Sequence, residues 1–112
     1  MLMESLAWQA LAEGAEKAVL YGDPTHAGSF VIRFRTSREI SIPLHWHRHD
    51  EHITVLSGPF SVSVNGARSE LEQGSYVVIP AGAHHCTWYG PGTVIQVSGI
   101  GPFESIYVHE QP

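Results

Sequence analysis

Ile40-Ser-Ile-Pro-Leu-His45-Trp-His47-Arg-His49-Asp-Glu51-His52 is the most histidine-rich stretch of the chain. Histidines recur there at every second residue. In an extended strand, residues two apart share a face, so His45, His47 and His49 project together, and Glu51 has the same parity. His84-His85 arrives much later in the chain and must come from a different strand. The two clusters hold six of the eight histidines. Imidazoles and a carboxylate suit borderline divalent metals such as Mn, Fe, Ni, Cu and Zn. Ligands from one strand region and from a facing strand can close a site inside a barrel.

Outward from this stretch, short β-rich runs alternate with turn residues. Strands are expected at Lys17–Tyr21, Ser29–Arg35, Ile40–His47, His52–Leu56, Phe60–Val64, Tyr76–Ile79, His84–Trp88, Thr93–Val97 and Ser105–Val108. Asn65-Gly66 lies between Ser-Val-Ser-Val and Ala-Arg-Ser-Glu-Leu and signals a tight hairpin, because both residues tolerate positive φ. Phe60, Val62 and Val64 point one way and Ser61 and Ser63 the other, as in a sheet with one buried face. Ser5 to Glu13 is the one helix-compatible segment, ending at Gly14. Together these runs indicate an all-β sandwich or barrel.

The bulk properties narrow the function classes. A length of 112 residues suits one domain. Residues 1–112 are read as a single domain, with 1–16 as an N-terminal arm and 17–108 as the barrel. Hydrophobic content of 43% against 15% charged argues for a folded core and against disorder. A net charge of −5, with six Lys and Arg, gives no electrostatic footprint for nucleic acid or an anionic membrane. The single cysteine, Cys86, cannot form a disulfide within the chain, which fits the cytoplasm. Met1 to Trp8 lacks the pattern of a signal peptide, so the cytoplasm is expected, or the periplasm or exterior if a leader has been removed. No stretch approaches the ~20 apolar residues that span a bilayer.

Two spaced motifs carry a resemblance. His45-x-His47 is followed by three residues, Glu51, six residues and Gly58. Gly74 is followed by five residues, Pro80-x-Gly82, two residues and His85. These resemble, in order, the two motifs of the cupin superfamily, and residues 59 to 73 form the short interval of compact microbial members. The close resemblance covers Ile40 to Tyr89. Glu39 stands where a glycine often opens the first motif, and Tyr89 where an asparagine often closes the second. The resemblance implies a jelly-roll (double-stranded β-helix) barrel holding one divalent transition metal on His45, His47, Glu51 and His85. Cu, Fe or Mn is expected first, with Zn or Ni as alternatives.

Other residues are weighed beside these. His49 has the parity of the ligands and is a candidate for the pocket wall; His84 faces away from His85. Tyr89 shares a side with His85, whereas Trp46, Trp88 and Cys86 have the opposite parity and are read as packing residues. Gln96 is either a polar contact near the site or a satisfied amide. Arg33 and Arg35 share a face and are read as solvated. Ile40, Ile42, Leu44 and Trp46 alternate with the histidines, so a ligand face pointing inward would put this apolar row outside. Such a row marks an interface, and a homodimer is expected.

Three histidines and a carboxylate leave open coordination positions, so catalysis is within reach. Relatives by resemblance include oxygen-using enzymes of small phenols, thiols or diketones, carbohydrate isomerases and cleavers, and binding modules; the fold does not choose among them. The first expectation is an oxygen- or peroxide-using oxidoreductase acting on a small organic or carbohydrate substrate. In it Glu51 is a ligand that can release and accept a proton. The alternatives are a lyase or isomerase of a sugar or hydroxy acid, with His49 or Tyr89 as base, and a non-catalytic sugar- or metal-binding module.

Overall fold

Apolar residues alternate with serine, threonine and charged residues through most of the chain. In the computed structural model, which describes residues 5–108, these runs become strands. They are β1 (Gln9–Ala12), β2 (Ala15–Tyr21), β3 (Gly28–Thr36), β4 (Ile40–Trp46), β5 (Glu51–Ser57), β6 (Phe60–Val64), β7 (Ala67–Leu71), β8 (Tyr76–Ile79), β9 (His85–Tyr89), β10 (Val94–Gly101) and β11 (Ile106–Tyr107). One antiparallel sheet has the order β1-β2-β3-β10-β5-β8 and the other β11-β4-β9-β6-β7. They face each other as a jelly-roll barrel, the expected all-β architecture. Residues 1–4 and 109–112, part of the expected 1–112 domain and of the Met1 to Trp8 reading, lie outside the described residues.

The core forms where the inward residues of both sheets meet. Phe30 and Ile32, Ile53 and Val55, Phe60 and Val62, and Ile95 and Val97 occupy alternate positions of β3, β5, β6 and β10, each at most 2% exposed. The Asn65-Gly66 turn has φ of 49° and 88°, and it joins β6 to β7 with Val64 opposite Ala67. At the end of the barrel near Gly90, the sheets are tied by side chains. The Thr36 hydroxyl donates to the Gly90 carbonyl at 2.8 Å, and the Thr93 hydroxyl donates to the Pro59 carbonyl.

Two sequence expectations are corrected. Ser5 to Glu13 is not a helix: Gln9–Ala12 forms β1, turns through Glu13-Gly14 and pairs with β2. A helix this short is marginal alone, whereas the free edge of β2 offers backbone partners. The second correction concerns β4. Ile42 pairs with Thr87, but the next registered pair is His45 with His85. Three residues on β4 thus span two on β9, which is a β-bulge, and it contains Pro43, whose nitrogen has no hydrogen to donate. Parity switches there, so Ile40 and Ile42 share the interior with His45, and Ile40 and Ile42 line a cavity. The expected outward row Ile40, Ile42, Leu44, Trp46 does not exist, so no such row marks a homodimer face. Among the described residues no helix is long and apolar enough to cross a membrane.

The two faces of β6 predict opposite responses. Phe60→Ala empties a site that is 1% exposed and should cost about 3–5 kcal/mol. Ser61→Ala, on the other face, should stay within about 0.5 kcal/mol. Urea unfolding of the two variants checks this, and equal losses would contradict the assigned faces.

Candidate metal centre

The bulge delivers His45 to the interior at the end of β4. His47 follows beyond the strand, Glu51 is the first residue of β5, and His85 is the first residue of β9. The loops that border these strand ends are tied together. Gly82 donates its N–H to the His47 carbonyl at 2.9 Å, and Ala81 donates its N–H to the Asp50 carboxylate at 2.8 Å. Gly82 has φ of 79°, a conformation glycine adopts without strain. The Pro80-x-Gly82 turn therefore anchors the first motif to the second.

Each imidazole is oriented by a backbone carbonyl. Nδ1–H of His45 donates to Pro43 at 2.7 Å, that of His47 to Glu104 at 2.9 Å, and that of His85 to Ala83 at 3.0 Å. A carbonyl only accepts, so in the neutral rings the proton sits on Nδ1 and the Nε2 lone pair is left free. The three histidines are 5%, 4% and 1% exposed, and their ligand atoms all lie within 4.8 Å of one another. Oε1 of Glu51, also buried, lies 3.3 Å from Nε2 of both His47 and His85. Neither of those two Nε2 atoms has a hydrogen-bond partner. Buried polar atoms are seldom left so. A cation bounded by these nitrogens and the carboxylate satisfies them, so the donor set fits a divalent transition metal.

Charge supports the same reading. Burial alone would raise the Glu51 carboxyl, but the His47 and His85 imidazoles beside it pull it down to about 2. Burial lowers His45 below the ordinary imidazole value. Burial also works against protonated His47, yet Glu51 and the Glu104 carbonyl outweigh it and hold His47 above 6.5. At neutral pH the pocket holds the fixed negative charge of Glu51 beside the imidazoles.

The imidazoles open onto a cavity of about 350 Å³ whose wall includes Ile32, Phe34, Ile40, Ile42, Tyr89 and Phe103. Tyr89 packs against Phe60 with ring centroids 5.1 Å apart, and burial, with Glu51 adding to it, holds its phenol well above the usual range. Phe103 stacks on His47 at 4.6 Å, and the Tyr107 ring lies 5.5 Å from His45.

The structure thus brings His45, His47, Glu51, His85 and Tyr89 to one cavity, but not His49. His49 is exposed and borders a separate surface hollow with Arg48 and Asp50. Strand β4 ends at Trp46, so the two-residue alternation no longer governs position 49. His84 is exposed, and Trp46 and Trp88 lie beneath Arg48 at 5.8 Å and Arg68 at 4.0 Å. Gln96 accepts from Arg33 at 2.9 Å, the satisfied reading of that amide. Cys86 is half-buried. The sequence reading missed Phe103, the Glu104 carbonyl and the tie made by Asp50. Backbone carbonyls carry no residue signature, and no motif marks the other two.

A model of the cupin domain family matches residues 36–95, more than half of the chain. No curated protein matches it. Among solved structures, the polyketide cyclase RemF from Streptomyces resistomycificus is 21% identical, with a TM-score of 0.80 over 99% of this chain and 85% of that one. KdgF from Halomonas sp. is 20% identical, with a TM-score of 0.77 over 88% and 89% of the two chains. A salicylate 1,2-dioxygenase variant from Pseudoaminobacter salicylatoxidans is 18% identical, with a TM-score of 0.69 over 82% of this chain but 26% of that one. At such identities the likeness is one of fold.

Metal binding must displace the His47 proton, because only the free lone pair coordinates. Affinity for a divalent ion is therefore expected to fall as pH drops through the His47 value, which lies above 6.5. Calorimetry in buffers of different ionisation enthalpy should show proton release on metal binding that diminishes as pH rises through the His47 value. His45→Ala, His47→Ala and His85→Ala should each lose more than the about 10–100-fold that removal of an outer partner costs. Unchanged metal content in all three would remove the centre.

Proposed function

The chain belongs to the cupin domain family, and on that premise we propose that it is a metal-dependent oxidoreductase acting on a small, largely apolar organic molecule. One observation carries the reading: three oriented imidazoles open onto a cavity whose wall is in part apolar. His45, His47 and His85 would hold the ion through Nε2 and Glu51 through Oε1. A bound Fe, Mn or Cu ion would supply redox activation with dioxygen or peroxide as co-substrate, whereas Zn would supply Lewis-acid activation alone.

The rest of the chemistry belongs to the chain's own residues. Ile40, Ile42 and Phe34 exclude water from the substrate. Glu51 is ionised at neutral pH, so it would serve a bound ion as an anionic donor and could accept a proton. Tyr89 is protonated at neutral pH and can donate a hydrogen bond to a substrate oxygen or act as an acid. Ile32, Phe34, Ile40, Ile42 and Phe103 give the cavity an apolar stretch of wall, which suits a ring or short chain. The free thiol of Cys86 supports a cytoplasmic location.

A non-oxidative reading, cyclisation or isomerisation, is favoured by Tyr89 alone, since a phenol beside a Lewis-acid site suffices for proton transfer. Metal substitution separates the two. Apo protein loaded in turn with Fe, Mn, Cu and Zn is assayed against catechols, diketones and thiols by oxygen or peroxide consumption and, separately, by loss of substrate. Activity with one or two redox metals and none with zinc is expected. Equal turnover with zinc would establish the non-oxidative reading, and no turnover with any metal a binding module. Tyr89→Phe should lower kcat by about 10²-fold if its proton is transferred, with metal content unchanged.

A further inference from the structure

Among the described residues, every arginine has a partner. Arg33 donates to Gln96 and Arg35 to Glu16, each at 2.9 Å. Arg38 pairs with Glu13 at 2.9 Å, and Arg48 lies 3.9 Å from Glu104. Arg68 lies over the Trp88 ring at 4.0 Å. Lys17, the single lysine of the sequence, has no such partner among the described residues.

Its position gives that ammonium a direction. Lys17 is registered opposite Phe34, and paired residues of antiparallel strands present their side chains on one face. Phe34 packs against the core, so Lys17 is on the interior face of β2, half-buried, and it borders the cavity that the imidazoles share. Much of the wall around it is apolar: Leu11, Ile32, Ile40 and Ile42. Glu16 also borders the cavity but is bound to Arg35. Partial desolvation of a cation without a counter-charge is unfavourable, and an anionic ligand reverses it.

The geometry points to Lys17 as the anchor of a substrate carboxylate. The cavity then takes a small monoanion with an apolar body, its carboxylate at Lys17 and its reacting end at the imidazole cluster. One ammonium matches one negative charge; a phosphate ordinarily recruits several cations, and the neighbouring Arg35 is already paired. A cavity of about 350 Å³ has room for a single substituted ring. This assignment names the substrate class of the proposed reaction and rests on that reading for the role of the imidazole end.

The experiment is calorimetric binding of benzoate and phenylacetate against their neutral counterparts benzamide and phenylacetamide, with metal content measured in the same samples. Wild-type protein, loaded with metal, should prefer the acids. Lys17→Met and Lys17→Gln should weaken acid binding by about tenfold, the scale of one lost hydrogen bond to a charged group, and leave the amides unchanged. Lys17→Arg should recover most of the preference. Equal binding of acid and amide by the wild type, binding of none of the four, or a preference that survives in both neutral variants would overturn the assignment. The last outcome would place the carboxylate on the metal instead. Full metal loading without acid preference rejects Lys17 and leaves the metal centre standing. A Lys17-dependent preference in wild-type protein that takes up no metal rejects the centre and keeps the anchor.

Discussion

One extra residue in β4 sets the orientation on which the site depends. Between Ile42 and His45 the strand spends three residues where β9 spends two. Without that bulge, strict alternation would send Ile40 and Ile42 to the face opposite His45. With it, one strand supplies both a wall and part of the donor set of the same cavity. Pro43 sits within the irregular segment, where a missing N–H removes no ladder bond.

The donor set depends in turn on backbone groups. Three carbonyls, of Pro43, Ala83 and Glu104, fix the Nδ1 protons and aim the three Nε2 atoms. Two of those carbonyls lie two residues before their own histidine, so local backbone shape at each motif orients its own ring. The third comes from the segment after β10, which couples His47 to the far end of the chain. The bonds from Gly82 to His47 and from Ala81 to Asp50 close the set by holding the motif loops together. Together they pre-organise the ligand atoms, which lowers the reorganisation needed when an ion binds.

Electrostatics divides the barrel between a charged end and an apolar body. Glu51 stays ionised although buried, because two imidazoles stand 3.3 Å from its Oε1. The outer faces, by contrast, use cations for packing: Arg48 and Arg68 cover Trp46 and Trp88. Those aromatics stand next to site residues in sequence yet belong to the surface. Lys17 is the exception among the cations, since the register turns it inward.

The sequence by itself determined the strand-rich class, most strand positions, the Asn65-Gly66 hairpin and the grouping of His45, His47, Glu51 and His85. These follow from two-residue alternation, from turn residues that tolerate positive φ, and from motif spacing, all local properties of the chain. It misread Ser5 to Glu13, because the partner that makes a strand there is the edge of β2. It also misassigned Ile40, Ile42 and His49, since alternation extrapolates only through an unbroken strand. A bulge at Pro43 and a strand end at Trp46 break it. Only the tertiary structure decided the apolar cavity wall, the Glu104 carbonyl behind His47 and the inward face of Lys17. Each depends on which strands become neighbours, and in what register, when the two sheets close.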